Sequence, residues 1–154
     1  MGGFLYIYIM IDSIVNRIKS ITESKIYDWV DEFISINKGK ILNMPKDRLK
    51  HGESVHGDDV VAYYKRPSYA LMKEKMNPLA KGTVDLFLTG DFFKGFDIKL
   101  EGNNHRIYST DLKYKMLGRR YSFSEFGLTE YENEELINEL TIFIYQKIYS
   151  FILR

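Results

Sequence analysis

Phe96-Asp97-Ile98-Lys99-Leu100, then Gly102-Asn103-Asn104, then His105-Arg106-Ile107-Tyr108 is the stretch that decides the fold. The first five residues alternate apolar and polar, the period of a strand with one face on a core and one in water. Gly-Asn-Asn is turn chemistry, and the residues after it return as the partner strand. A β-hairpin is therefore predicted here. Around it the pattern changes from a period of two to a period near 3.6.

The clearest helix is the last one. Thr129-Glu130-Tyr131-Glu132 is a capping box: the threonine hydroxyl serves the amide three residues on, and Glu132 reaches back to the threonine amide. Leu136, Ile137, Leu140, Phe143, Ile144, Ile148, Phe151 and Ile152 follow at helical spacing. Acids at its start and Lys147 and Arg154 near its end suit the helix dipole. This reading makes the closing helix part of the core. At the other end of the chain, Asp12 and Ser13 are N-cap candidates. Behind them Ile14, Val15, Ile18, Ile21, Ile26, Trp29, Val30 and Phe33 form a stripe, with a bend expected near Ser24 and a stop at Asn37-Lys38-Gly39.

Between Lys40 and Asp59 the periodicity dissolves. Pro45, Gly52, Gly57 and mixed charges predict a long loop or extended arm. Val60 to Tyr64 reads as a short strand ended by Lys65-Arg66-Pro67. A short helix capped by Ser68 is expected through Met76, stopped by Asn77-Pro78. Val84 to Leu88 leans towards strand, and Asp111 is placed to cap a helix carrying Leu112, Met116 and Leu117. The expected fold class is α+β: a small antiparallel sheet, a long N-terminal helix and a C-terminal amphipathic helix, in one domain over 1–154.

The bulk properties exclude more than they identify. The 154 residues are 45% hydrophobic and 28% charged, with a formal charge of +1. These are the proportions of a globular domain with a real core, and no global field draws it to nucleic acid or membrane. No cysteine is present, so disulfides, thiolate zinc sites and cysteine nucleophiles are excluded. The apolar run Phe4 to Ile11 reads as a strand or buried lead-in to a helix. It falls short of the ~20 residues that span a bilayer and has no signal-peptide flanks. Tyr6 stands where myristoylation after Met1-Gly2 wants Ser or Thr. No membrane association is expected.

The candidate constellations are weighed as follows. His51, Glu53, His56, Asp58 and Asp59 match no closed metal spacing and read as a solvated loop. Asp85, Asp91, Asp97, Glu101 and Asp111 read as the wet faces of strands rather than a catalytic set. With no phosphate loop, G-x-S-x-G elbow or dinucleotide fingerprint, neither an enzyme nor a cofactor is expected. Lys46, Arg48 and Lys50 form one basic run; Lys113, Lys115, Arg119 and Arg120 form a second and are the candidate phosphate contacts. Gly90, Gly95, Gly102 and Gly127 read as turns or close approaches. Aromatics make up 15% of the chain, 12 of them tyrosine. Tyr63, Tyr64, Tyr69, Phe92, Phe93, Tyr121 and Phe123 are the candidate interface residues.

Leu88-Thr89-Gly90-Asp91-Phe92-Phe93, the hairpin, Ser109-Thr110-Asp111, Phe126-Gly127-Leu128 and the closing helix follow one another in an order that resembles head–tail-joining and tail-completion proteins of tailed bacteriophages. The resemblance runs from about Val84 onward. It implies a non-enzymatic structural virion protein, a homo-oligomeric ring at the neck or tail top. Portal, connector or tail proteins would be its neighbours, and DNA in the channel a further candidate partner. The virion, assembled in the host cytoplasm, would be its location. The arm from Lys40 to Asp59 would order only in the assembly. The rival reading is a small nucleic-acid-binding or DNA-packaging accessory protein using the second basic run.

Overall fold

The computed structural model describes residues 12–57, 59–87, 89–102 and 104–153. The run Phe4 to Ile11, Asp58, Leu88, Asn103 and Arg154 lie outside them, so the strand or lead-in reading of residues 4 to 11 does too. The chain divides into two compact units, residues 38–133 and, separately, residues 1–37 with 134–154. Within the described residues the α+β class holds: helices predominate and the sheet has two antiparallel strands.

The unit of residues 38–133 is built on phenylalanine. Strands β1 (Phe96–Glu101) and β2 (Asn104–Ser109) pair in the register Phe96 with Ser109, Ile98 with Ile107 and Leu100 with His105. Phe96 and the half-buried Ile98 and Ile107 face the core, whereas Leu100, near the turn, is exposed because the hairpin outruns the core there. A four-residue helix, Asp91–Lys94, precedes β1 and drops Phe92 and Phe93 into the interior. Phe92 lies 5.2 Å from Phe96 and 5.3 Å from Phe126, ring centre to ring centre, both edge to face. Such pairs add roughly 0.5–1.5 kcal/mol each beyond the area they bury. Leu42 and Leu49 complete the cluster. Phe92 and Phe93, candidate interface residues from the sequence, are buried in the core.

Leu42 and Leu49 come from a helix longer than the sequence suggested. It spans Glu23–Lys50, running through Gly39 and Pro45. Proline inside a helix forfeits one backbone bond and costs about 3 kcal/mol, glycine about 1. Burial of Ile41, Leu42, Pro45 and Leu49 offsets this, at roughly 1.5–3 kcal/mol per large apolar side chain. The first half of the expected arm is therefore helix. Its second half is tied down: the Ser54 hydroxyl and the Val55 amide both donate to the Glu125 carboxylate at 2.9 Å. Arg48, buried, donates to the carbonyls of Glu53, Glu125 and Gly127. Arg48 is a structural clamp, not a phosphate contact. Burial pulls its pKa down, opposed by Glu132, Glu125 and Glu53.

The other elements of this unit are short. In place of the strands expected at Val60–Tyr64 and Val84–Leu88 there are isolated bridges, Glu53 with Val60 and Tyr63 with Thr83. Helix Pro67–Met76 opens on its proline, not on a Ser68 cap, since a first-turn proline loses no bond. Helix Tyr114–Tyr121 begins after Asp111, whose carboxylate accepts from the Lys113 amide at 2.7 Å. Leu112 lies outside that helix, fully exposed. In it, Gly118 permits a close approach that sequence gave no sign of: a Cβ there would stand 2.1 Å from the Phe123 ring.

In the other unit, residues 12–19 are helical and a break at residues 20–22 precedes Glu23–Lys50. Asp12 and Ser13 are themselves helical, and the cap is Thr22, whose hydroxyl accepts from the Lys25 amide. Helix Glu130–Leu153 starts at the expected capping box: the Thr129 amide donates to Glu132 at 2.7 Å and the Glu132 amide to the Thr129 hydroxyl at 3.1 Å. Trp29 packs on Phe151 and Phe33 on Phe143, and Lys147 pairs with Glu32 at 2.5 Å. The pairs climb one helix as they descend the other, so the two run antiparallel. Among its described residues only Leu136 of the closing helix is buried, and Ile137, expected inside, is exposed. The closing helix is half surface rather than all core.

Replacing Phe126 by alanine should cost about 3–5 kcal/mol, because the cavity would open among four rings. Thr129→Ala should cost about 1 kcal/mol through the lost cap. Urea unfolding of both variants checks the ranking; equal effects would mean that Phe126 is not the keystone of its cluster.

Candidate functional site

Asp85 has no exposed surface, contrary to its reading as a wet strand residue. A buried carboxylate requires donors, and the sequence folds to supply four. Lys73 on helix Pro67–Met76 pairs with it at 2.8 Å, and the Asn77 amide donates at 2.8 Å. The Tyr64 hydroxyl donates at 3.0 Å and the Phe87 amide at 3.1 Å. The Lys73 ammonium also bonds the Phe87 carbonyl, and Asn77 reaches the Lys50 carbonyl at 2.7 Å. Between Asp85 and Phe87, Leu86 sits at φ 53°, a left-handed conformation that costs a leucine on the order of 1 kcal/mol or more. The donors around Asp85 hold it there.

Above this hub opens a cleft of about 440 Å³, within the usual range for small-molecule sites. Tyr64, Lys65 and Arg66 line it, with Tyr69 packed edge-on against Tyr64 at 5.1 Å. Lys113, Leu117, Arg120 and Tyr121 from the Tyr114–Tyr121 helix and its lead-in line it too, together with Leu86, Phe87 and Gly90. Gly90 takes φ 82°, the turn that starts Asp91–Lys94. The lining carries five cations, Lys65, Arg66, Lys73, Lys113 and Arg120, and no carboxylate or histidine. By charge, such a lining is suited to anions.

The structure gathers part of the sequence-predicted set and scatters the rest. Tyr64, Tyr69, Tyr121, Lys113 and Arg120 share the cleft, and Phe92 contributes to its floor. Lys115 and Arg119 do not line it, nor do Tyr63, which is exposed, and Phe123, which packs on Tyr114. Lys65, Arg66 and Lys73 were missed. Tyr63-Tyr64-Lys65-Arg66, aromatics abutting cations before a helix-starting proline, was the available signal. Among the described residues no cluster of three or more His, Asp or Glu could hold a metal ion.

A second surface feature lies on the closing helix. Ile142, Tyr145, Tyr149 and Leu153, spaced three and four apart on one face, are 60, 69, 68 and 59% exposed. No described helix is long and apolar enough to cross a membrane. Compared with protein-family models, curated proteins and solved structures, the chain matches none.

Burial first, and the neighbouring Asp85 charge second, raise the Tyr64 pKa above the ordinary tyrosine value. A raised folded-state pKa contributes stability below the unfolded value, about 10, and that contribution is lost as pH climbs past it. Tyr64→Phe should therefore be less stable than the parent by about 1.5 kcal/mol at pH 8, having lost a bond to a charged group. The gap should shrink at pH 11. A constant gap in urea unfolding at the two pH values would contradict the assignment.

Proposed function

We propose that this chain is a structural assembly subunit, a ring-forming component of the head–tail neck or tail top of a tailed bacteriophage. The exposed stripe Ile142, Tyr145, Tyr149 and Leu153 carries this reading. Contiguous apolar faces of this kind are uncommon on monomers, and tyrosine is enriched where proteins meet. The occupant proposed for the stripe is a second copy of the chain, with portal, connector or tail proteins meeting the ring on either side. Among the described residues the sheet has only two strands, so each has an outer edge on which a neighbour can pair.

The sequence resemblance supports the same reading through the fold. Thr89 accepts from the Asp91 amide at 3.4 Å at the start of Asp91–Lys94. The Ser109 hydroxyl donates to the Phe92 carbonyl at 2.9 Å, and Phe126 is fully buried. The residues that carry the resemblance are thus those that fix the hairpin to its core, and the likeness is to a subunit's scaffold rather than to a site.

Sedimentation velocity on the parent and on Tyr145→Glu/Tyr149→Glu tests the proposal. The parent should self-associate as concentration rises, and the double variant should stay monomeric with unchanged circular dichroism. A parent that remains monomeric throughout, or a variant that associates equally well, removes the stripe from assembly.

A further inference from the structure

The cleft over Asp85 is distinct from the stripe on the closing helix, and its chemistry points elsewhere. Lys73 is neutralised by Asp85 at 2.8 Å. Lys65, Arg66, Lys113 and Arg120 have no ion pair among the described residues, and all four are exposed at the cleft. The nearby acid Asp91 is engaged by Lys94 at 2.9 Å and by the Thr89 hydroxyl. Four cations without an ion pair line one concavity, Lys113 alone of them feeling the Asp91 charge, and such a set suits a multiply charged anion. A phosphate ester carries about −1.5 to −2, and guanidinium forks match its oxygens, whereas a carboxylate would answer only one of them.

Aromatic rings share the lining with the cations. Tyr64, Tyr69, Tyr121 and Phe87 line the same cavity. Tyr64 and Tyr69 brace each other edge to face, and the Tyr64 hydroxyl is anchored to Asp85 at 3.0 Å, so its ring is held before any ligand arrives. Planar ring faces of this sort stack on nucleobases, at about 1–3 kcal/mol per base. A volume of about 440 Å³ takes one such unit and excludes a duplex.

We propose that this cleft binds a nucleotide, its phosphate among Arg66, Lys113 and Arg120 and its base against the tyrosines.

Isothermal titration of the full chain with AMP, with adenosine and with inorganic phosphate tests this. AMP should bind, and adenosine and phosphate alone should each bind at least tenfold more weakly. Lys113→Glu/Arg120→Glu should weaken AMP at least tenfold. Lys115→Glu/Arg119→Glu, the same charge change on residues outside the cleft, should leave it within twofold. All four positions are exposed, so both variants should fold, which circular dichroism checks. Displacement of AMP by a short single-stranded oligonucleotide at lower nucleotide concentration would identify the source as a strand, and its absence a free nucleotide; either keeps the site. Equal weakening by the two charge-reversal pairs would overturn the proposal, as would no AMP binding at about 1 mM, the weak end of ordinary ligand affinity.

Discussion

The unit of residues 38–133 depends on the contacts that satisfy the carboxylate of Asp85 out of water. One side chain with no exposed surface collects Lys73, Asn77, Tyr64 and the Phe87 amide, and through Asn77 the end of helix Glu23–Lys50. Buried pairs of this sort contribute little net stability against an apolar replacement, yet losing one partner is strongly destabilising. The consequence is positional. The donors come from Tyr64, from the end of helix Pro67–Met76 with Asn77 behind it, and from the loop of Asp85 itself at Phe87, so satisfying Asp85 ties these segments together, and the cleft is the space left above them.

Arg48 plays the corresponding part on another side of the same unit. Its guanidinium gathers the carbonyls of Glu53, Glu125 and Gly127, and Glu125 in turn holds Ser54 and Val55. An irregular stretch without apolar period is ordered by polar bonds rather than by burial. The arm read from sequence failed for this reason: absence of periodicity says nothing about carbonyls that a distant arginine will collect.

What was legible followed from range. The capping box at Thr129 and the alternation of the hairpin strands act over a few residues, and both stand in the structure as the sequence implied. Tertiary packing overrode the local stop signals at Gly39 and Pro45 because the residues on that stretch bury Ile41, Leu42 and Leu49. Asp85, with side-chain partners 8 to 21 residues away, and Arg48, with one partner 79 away, carried no local mark of burial. For the basic run, a spacing of four linked Lys115 with Arg119. The pair that shares the cleft is Lys113 and Arg120, seven apart, two turns along one face.

The bond from Tyr64 to Asp85 also sets the chemistry of that ring. Electrophilic reagents such as iodine and tetranitromethane attack tyrosine as its phenolate, and Tyr64 is held in the phenol form by burial and by the neighbouring negative charge. It lines an open cleft and is accessible to small molecules, yet it is deactivated towards them. The expected resistance of this ring to labelling therefore comes from its protonation state rather than from concealment.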